Sequence, residues 1–145
     1  MKVGFSELGL VYGITLIVFF AIDLVWIGFI AKNFYAATIG SLLRDQVNWI
    51  AAIIFYLMYI GGILLFVLFP ALESGSSILR VAVMGGLLGL FAYATFDLTA
   101  LALLKNWSVT VTVVDMIWGT VLTGGTAAAS LWIIRNILKP GWLGG

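Results

Sequence analysis

The chain has 145 residues, 63% of them apolar and 9% charged, with a mean hydropathy of +1.21. A soluble domain carries about 45–50% apolar and about 25% charged residues, so that class is excluded. Seven Lys and Arg against six Asp and Glu leave a net charge of +1, which is no footprint for nucleic acid. With neither Cys nor His, the chain has no disulfide, thiolate nucleophile or imidazole base, and no zinc site of the usual kind.

The first apolar run, residues 8–31, holds a single charge, Asp23. It outlasts the roughly 7–15-residue core of a secretory leader and is expected to be a span rather than a cleaved segment. The second, residues 49–69, holds none; the third, residues 81–104, holds Asp97; the fourth, residues 109–134, holds Asp115. Each exceeds the ~20 residues needed to cross about 30 Å of hydrocarbon. Backbone amides there must be satisfied within the segment, so runs of this length are helices. The expectation is an all-α integral membrane four-helix bundle forming a single membrane domain over residues 1–145 in the lipid bilayer.

The connections at residues 73–77 and 105–108 read as tight polar turns. Residues 32–48 differ: Tyr35, Ile39, Leu42, Leu43 and Val47 recur at helical spacing while Arg44, Asp45 and Gln46 stay polar. That pattern predicts a short amphipathic helix at the interface between spans 1 and 2. Four spans put both termini on one face with Lys2, Arg80, Arg135 and Lys139, against Lys32, Arg44 and Lys105 on the other, a bias toward cytoplasmic termini. Trp49, Trp107, Trp132 and Trp142 read as interfacial belt residues, and the Gly-rich tail at 141–145 as a frayed end.

Three acids inside spans are costly, at least ~2.5–3.5 kcal/mol each on insertion scales, and such residues face the bundle interior. Asp23 precedes Lys32 by nine residues, Asp97 precedes Lys105 by eight, and Asp115 follows Lys105 by ten. At 1.5 Å per residue these offsets are roughly 12–15 Å from one face, so the three carboxylates belong to one layer. Tyr56 and Tyr59 of span 2 lie at the same depth and three residues apart, on one helix face. Tyr93 stands four before Asp97. These phenols are expected as hydrogen-bond partners of the acids. Trp26 and Trp118 each follow an Asp by three residues, which sets an indole beside each acid as an aromatic wall suited to cation–π contact.

Small residues indicate which faces look inward. Thr112, Asp115, Gly119, Thr123, Thr126 and Ser130 form a stripe on span 4, and Gly85, Gly89, Tyr93 and Asp97 one on span 3. No Lys or Arg lies within a span to neutralise the acids, so either they hold protons or a cation sits among them. A buried hydrogen-bond network that only fixes packing is the structural alternative.

Asp23-Leu24 followed by Lys32-Asn33-Phe34 is echoed by Asp97-Leu98 followed by Lys105-Asn106-Trp107, a hint of a duplicated two-helix unit. These segments, with Asp23 to Gly28, Asn48-Trp49, Phe55-Tyr56, Tyr59, Tyr93 to Thr99, Leu104 to Trp107 and Asp115 to Gly119, carry a resemblance across nearly the whole chain. It resembles the bacterial membrane proteins grouped as domain of unknown function 2177. Phe96 stands where that family usually has Tyr, and Ala100 where it usually has Asn. The resemblance implies a small protein of the bacterial inner membrane and no settled activity.

The function expected is binding or transport of a small amphipathic or cationic molecule, or of protons, by the layer of Asp23, Trp26, Tyr56, Tyr59, Tyr93, Asp97, Asp115 and Trp118. No cofactor and no metal are expected. A homodimer is what four spans alone would need to enclose a pathway. The alternatives are a membrane-embedded lipid-modifying enzyme, in which carboxylates bind Mg²⁺ or act as acid and base, and a structural or accessory membrane subunit.

Overall fold

In a computed structural model that describes residues 4–138, four helices run in sequence: α1 Phe5–Leu42, α2 Trp49–Ser74, α3 Ile78–Leu103 and α4 Val109–Leu138. No strand occurs among the described residues. The expected Lys2, Lys139, Trp142 and Gly-rich tail lie outside those residues. All four helices are long and apolar enough to span a membrane.

Short polar side chains start three of them. Asn48, Ser77 and Ser108 accept the backbone N–H of Ala51, Arg80 and Val111 at 3.2, 3.1 and 3.1 Å, which satisfies donors that a helix start otherwise leaves free. α2 ends on Gly75, whose φ of +69° is left-handed, and Ser76 N–H then closes onto the Ala71 carbonyl at 3.0 Å. α3 ends where Leu104 turns extended and Asn106 takes a φ of +63°. Both connections are the tight turns expected.

The helix expected between spans 1 and 2 is present at Lys32–Ile39, but it is joined end-on to span 1 rather than set off from it. A single π-helical turn, Ile27–Ala31, links the two, and a 3₁₀ turn, Gly40–Leu42, closes the whole. The resulting 38 residues are about 57 Å long, well beyond the hydrocarbon thickness. The internal echo is not mirrored here: Lys32-Asn33-Phe34 is helical, whereas Lys105-Asn106-Trp107 lies in a turn. Trp107 is also more than a belt residue, since its indole N–H donates to Thr112 at 3.1 Å.

The helices outrun the apolar runs because backbone hydrogen bonding continues past the bilayer-length segment. α3 and α4 approach closest, at glycines. A Cβ on Gly89 would stand 2.1 Å from the Gly119 carbonyl oxygen, and one on Gly124 would stand 2.7 Å from that of Ala82. α1 presents Val11, Thr15, Phe19 and Asp23 inward, four residues apart, and α2 contributes Ile60, Ile63 and Leu68 to the same core. Large apolar side chains cover the outside, with Phe29 84% and Ile50 75% exposed, which is the surface a bilayer solvates. At the termini end, Arg135 Nη1 donates to the Ser76 carbonyl at 2.6 Å and ties α4 to the turn between α2 and α3.

Candidate functional site

The inward stripe of α4 is the one read from the sequence: Thr112, Gly119, Thr123, Thr126 and Ser130 are all buried, and Asp115 is half-buried among them. Gly85, Gly89 and Asp97 of α3 are buried opposite, with Tyr93 between them half-buried. The ring of Tyr93 rests directly on Gly119, where a Cβ would come within 2.2 Å of it. Only glycine at 119 leaves that ring its place.

The acids form a pair and a single. Asp97 is 0% exposed and meets the Asp115 carboxyl group, and no other donor of the protein reaches its oxygens. Asp115 accepts a short hydrogen bond from the phenol of Tyr35. Asp23, 8% exposed, accepts from the phenol of Tyr56 at 3.4 Å and has the Trp118 indole beside it. Tyr93 stands between the groups, within electrostatic reach of both Asp23 and Asp115. No Lys or Arg is among the groups acting on Asp23 or Asp97. Among the described residues no three Asp, Glu, His or Cys converge in a way that could hold a metal ion.

Tyr59 differs from its expected role. Its hydroxyl shares a 2.7 Å hydrogen bond with Thr123 instead of an acid, while its ring stacks on Phe55 at 5.4 Å and meets Tyr93 edge-on at 6.3 Å. The tryptophans also depart from expectation. Trp26 and Trp118 stack on each other, 4.4 Å apart and 8° from parallel. Their facing surfaces are thereby occupied. Trp118 serves the acid of α1, and Trp26 approaches Tyr35 of its own helix.

Tyr35 is the residue that reading the sequence missed. Its helical spacing with Ile39, Leu42, Leu43 and Val47 places it in the interfacial amphipathic helix, twelve residues after Asp23. Twelve α-helical residues rotate a side chain about 120° past three full turns. The π turn at Ile27–Ala31 absorbs one residue, leaving about eleven, or three turns, and so returns Tyr35 to the face of Asp23. The buried positions Ala31 and Ile39 follow the same shifted phase.

Beside Asp115 a groove of about 360 Å³ opens on the side of the bundle, lined by Phe55, Ala92, Tyr93 and Phe96. Phe55 and Phe96 are about half exposed, so the mouth faces lipid. An apolar groove with a carboxyl group in its wall that is paired with a second, buried one suits a molecule with an apolar body and a cationic or proton-donating head. Aromatic faces at such a mouth favour cations.

Fold and site together define a small polytopic membrane protein, an all-α bundle with an acidic and phenolic layer inside. The chain belongs to the family described as predicted membrane protein DUF2177, whose model matches residues 8–132. No curated protein and no solved structure matches the chain.

Proposed function

We propose that the protein binds a small amphipathic cation in the groove beside Asp115, with Asp97 as the second carboxylate of the site. The observation that carries this reading is the Asp97–Asp115 pair: Asp97 is wholly buried against the second acid, and no other donor or cation of the protein reaches its oxygens. Two buried carboxyl groups in contact cannot both be ionised without a counter-charge, because an uncompensated buried charge costs several kcal/mol. A cation entering from the bilayer supplies the missing charge, and protons supply it otherwise. Phe55, Tyr93 and Phe96 take over the aromatic role first expected of Trp26 and Trp118. Every residue of this site comes from one chain, so the homodimer suggested by span count is not needed to build it. Cytoplasmic termini in a bacterial inner membrane remain part of the same reading, on the basic-residue bias and the family resemblance.

The test is equilibrium binding of tetraphenylphosphonium to the detergent-purified protein. Saturable binding is expected, weakened at least about tenfold by Asp97→Asn and by Asp115→Asn. Binding no greater than to empty micelles, or unchanged in both variants, overturns the reading.

A further inference from the structure

The turn between α2 and α3 holds a second recess, far from the acidic layer: Arg80 in its wall precedes Asp97 by seventeen residues, about 25 Å along α3. Its volume is about 200 Å³, far above the roughly 10–15 Å³ that a single water requires. The lining changes along the membrane normal. At the rim stand Ser74, Ser76 and Arg80; one to two helical turns deeper stand Met84, Val67 and Phe66. Phe66 and Met84 are exposed, so the deep end opens sideways to the bilayer. Charge at the rim has one sign. Ser74 gives its hydroxyl proton to the Pro70 carbonyl at 2.7 Å, so in its 2.7 Å bond with Ser76 it is the acceptor. Both hydroxyl protons are thereby used, and the donors that the rim offers a ligand are those of the Arg80 guanidinium. Arg135 brings a second guanidinium to the same turn through its bond to the Ser76 carbonyl. α3 begins here with Ser77 as its cap, and the positive end of its dipole adds to the field. Among the described residues no Asp or Glu lines the recess; Glu73 of the same turn is exposed and outside the lining.

We propose that this recess binds one anionic phospholipid, with its phosphate on Arg80 at the rim and an acyl chain against Phe66 and Met84. The order of the lining, a cation above hydrocarbon, is the order of the lipid itself. Guanidinium and phosphate match as fork to fork, through paired N–H···O bonds. Basic pockets between membrane helices take anionic headgroups in this manner. A headgroup with its own ammonium would set a further cation beside Arg80 and Arg135, so the site selects a lipid of net negative charge. Arg135 acts as a positioning residue: it holds Ser76, and with it the turn, while adding its charge. The site is independent of the cation groove, at the other end of the bundle and for a ligand of opposite sign.

The experiment titrates the detergent-purified full chain with phosphatidylglycerol and reads bound lipid by native mass spectrometry. One saturable lipid per chain is expected, held at least about tenfold more tightly than phosphatidylcholine. Arg80→Gln should weaken it at least about tenfold, and Arg80→Lys less, since an ammonium keeps the charge but not the fork. Met84→Trp, which fills the deep end from an exposed position, should weaken it as well. These variants should keep the melting temperature of the lipid-free wild type, because neither side chain is buried. Lys105→Gln, exposed at the opposite end of the bundle, should leave binding unchanged. Soluble glycerol 3-phosphate should not compete, because it lacks acyl chains. Equal affinity for the two lipids, or a loss in Arg80→Gln no greater than in Lys105→Gln, overturns the proposal. Competition by glycerol 3-phosphate overturns the lipid as the occupant.

Discussion

Trp26 and Trp118 lie face to face across α1 and α4, ring centroids 4.4 Å apart and planes 8° from parallel. Each indole closes the surface that its partner would otherwise offer to a ligand, so the pair acts as a clasp between the two helices. A double-mutant cycle of Trp26→Ala and Trp118→Ala in detergent is expected to give a coupling of about 1 kcal/mol, in the range for aromatic pairs. Trp118→Ala alone should cost more than Trp26→Ala, because it also removes the indole beside Asp23. A coupling near zero would mean that the stack adds nothing to the fold.

Close approach of α3 and α4 depends on missing side chains. Gly89→Ala and Gly119→Ala place a Cβ 2.1 Å from a backbone oxygen and 2.2 Å from the Tyr93 ring. Each should destabilise the bundle by about 2–3 kcal/mol, the upper part of the range for overpacking. Gly61→Ala meets nothing within 4 Å and should be neutral or slightly stabilising. Thermal melting of the three variants in one detergent separates these outcomes.

On the proposed binding reading, Asp97 should lower stability while serving the site. Asp97→Leu replaces a buried carboxyl group whose one neighbouring polar group is another acid with an apolar side chain of similar reach, and should raise the melting temperature while abolishing tetraphenylphosphonium binding. A lowered melting temperature would show that the carboxyl group holds the helices together.

Tyr35 supplies the hydrogen bond that Asp115 accepts. Tyr35→Phe keeps the ring and removes the donor, leaving a partly buried acid without it, at a cost of about 1–3 kcal/mol. Tyr35→Phe combined with Asp115→Asn should recover part of that loss, measured by the same melting assay.

The π turn gives a test of helix phase. Phe29 lies within it and Ile17 in regular α-helix, and both face outward, 84% and 71% exposed. Deleting Phe29 removes the extra residue and leaves the inward stripe of α1 nearly in phase. Deleting Ile17 turns Phe19 and Asp23 about 100° relative to the preceding turns. Folded yield should survive the first deletion and collapse in the second.

How much was legible follows from which forces are local. Helix number and the two tight turns could be read directly, because in hydrocarbon each backbone amide must bond within its own segment. The inward stripe of α4 was legible for the same reason: small and polar residues at steps of three and four define a face without reference to other helices. The depth of Asp23, Asp97 and Asp115 needed only the rise per residue. Tyr35 was lost because a π turn changes rotation without leaving a residue signature, and the groove at Phe55 and Phe96 because it is a gap between helices.

The sequence by itself determined four membrane-length helices and the level at which their acids lie, since both depend on chain-local hydrogen bonding and arithmetic along one axis. Only the tertiary structure decided that Asp97 sits buried against Asp115, that Trp26 stacks on Trp118, and that Tyr59 chooses Thr123 over an acid. Those contacts depend on the rotation and spacing of helices about one another, where a shift of one residue turns a side chain by about 100°.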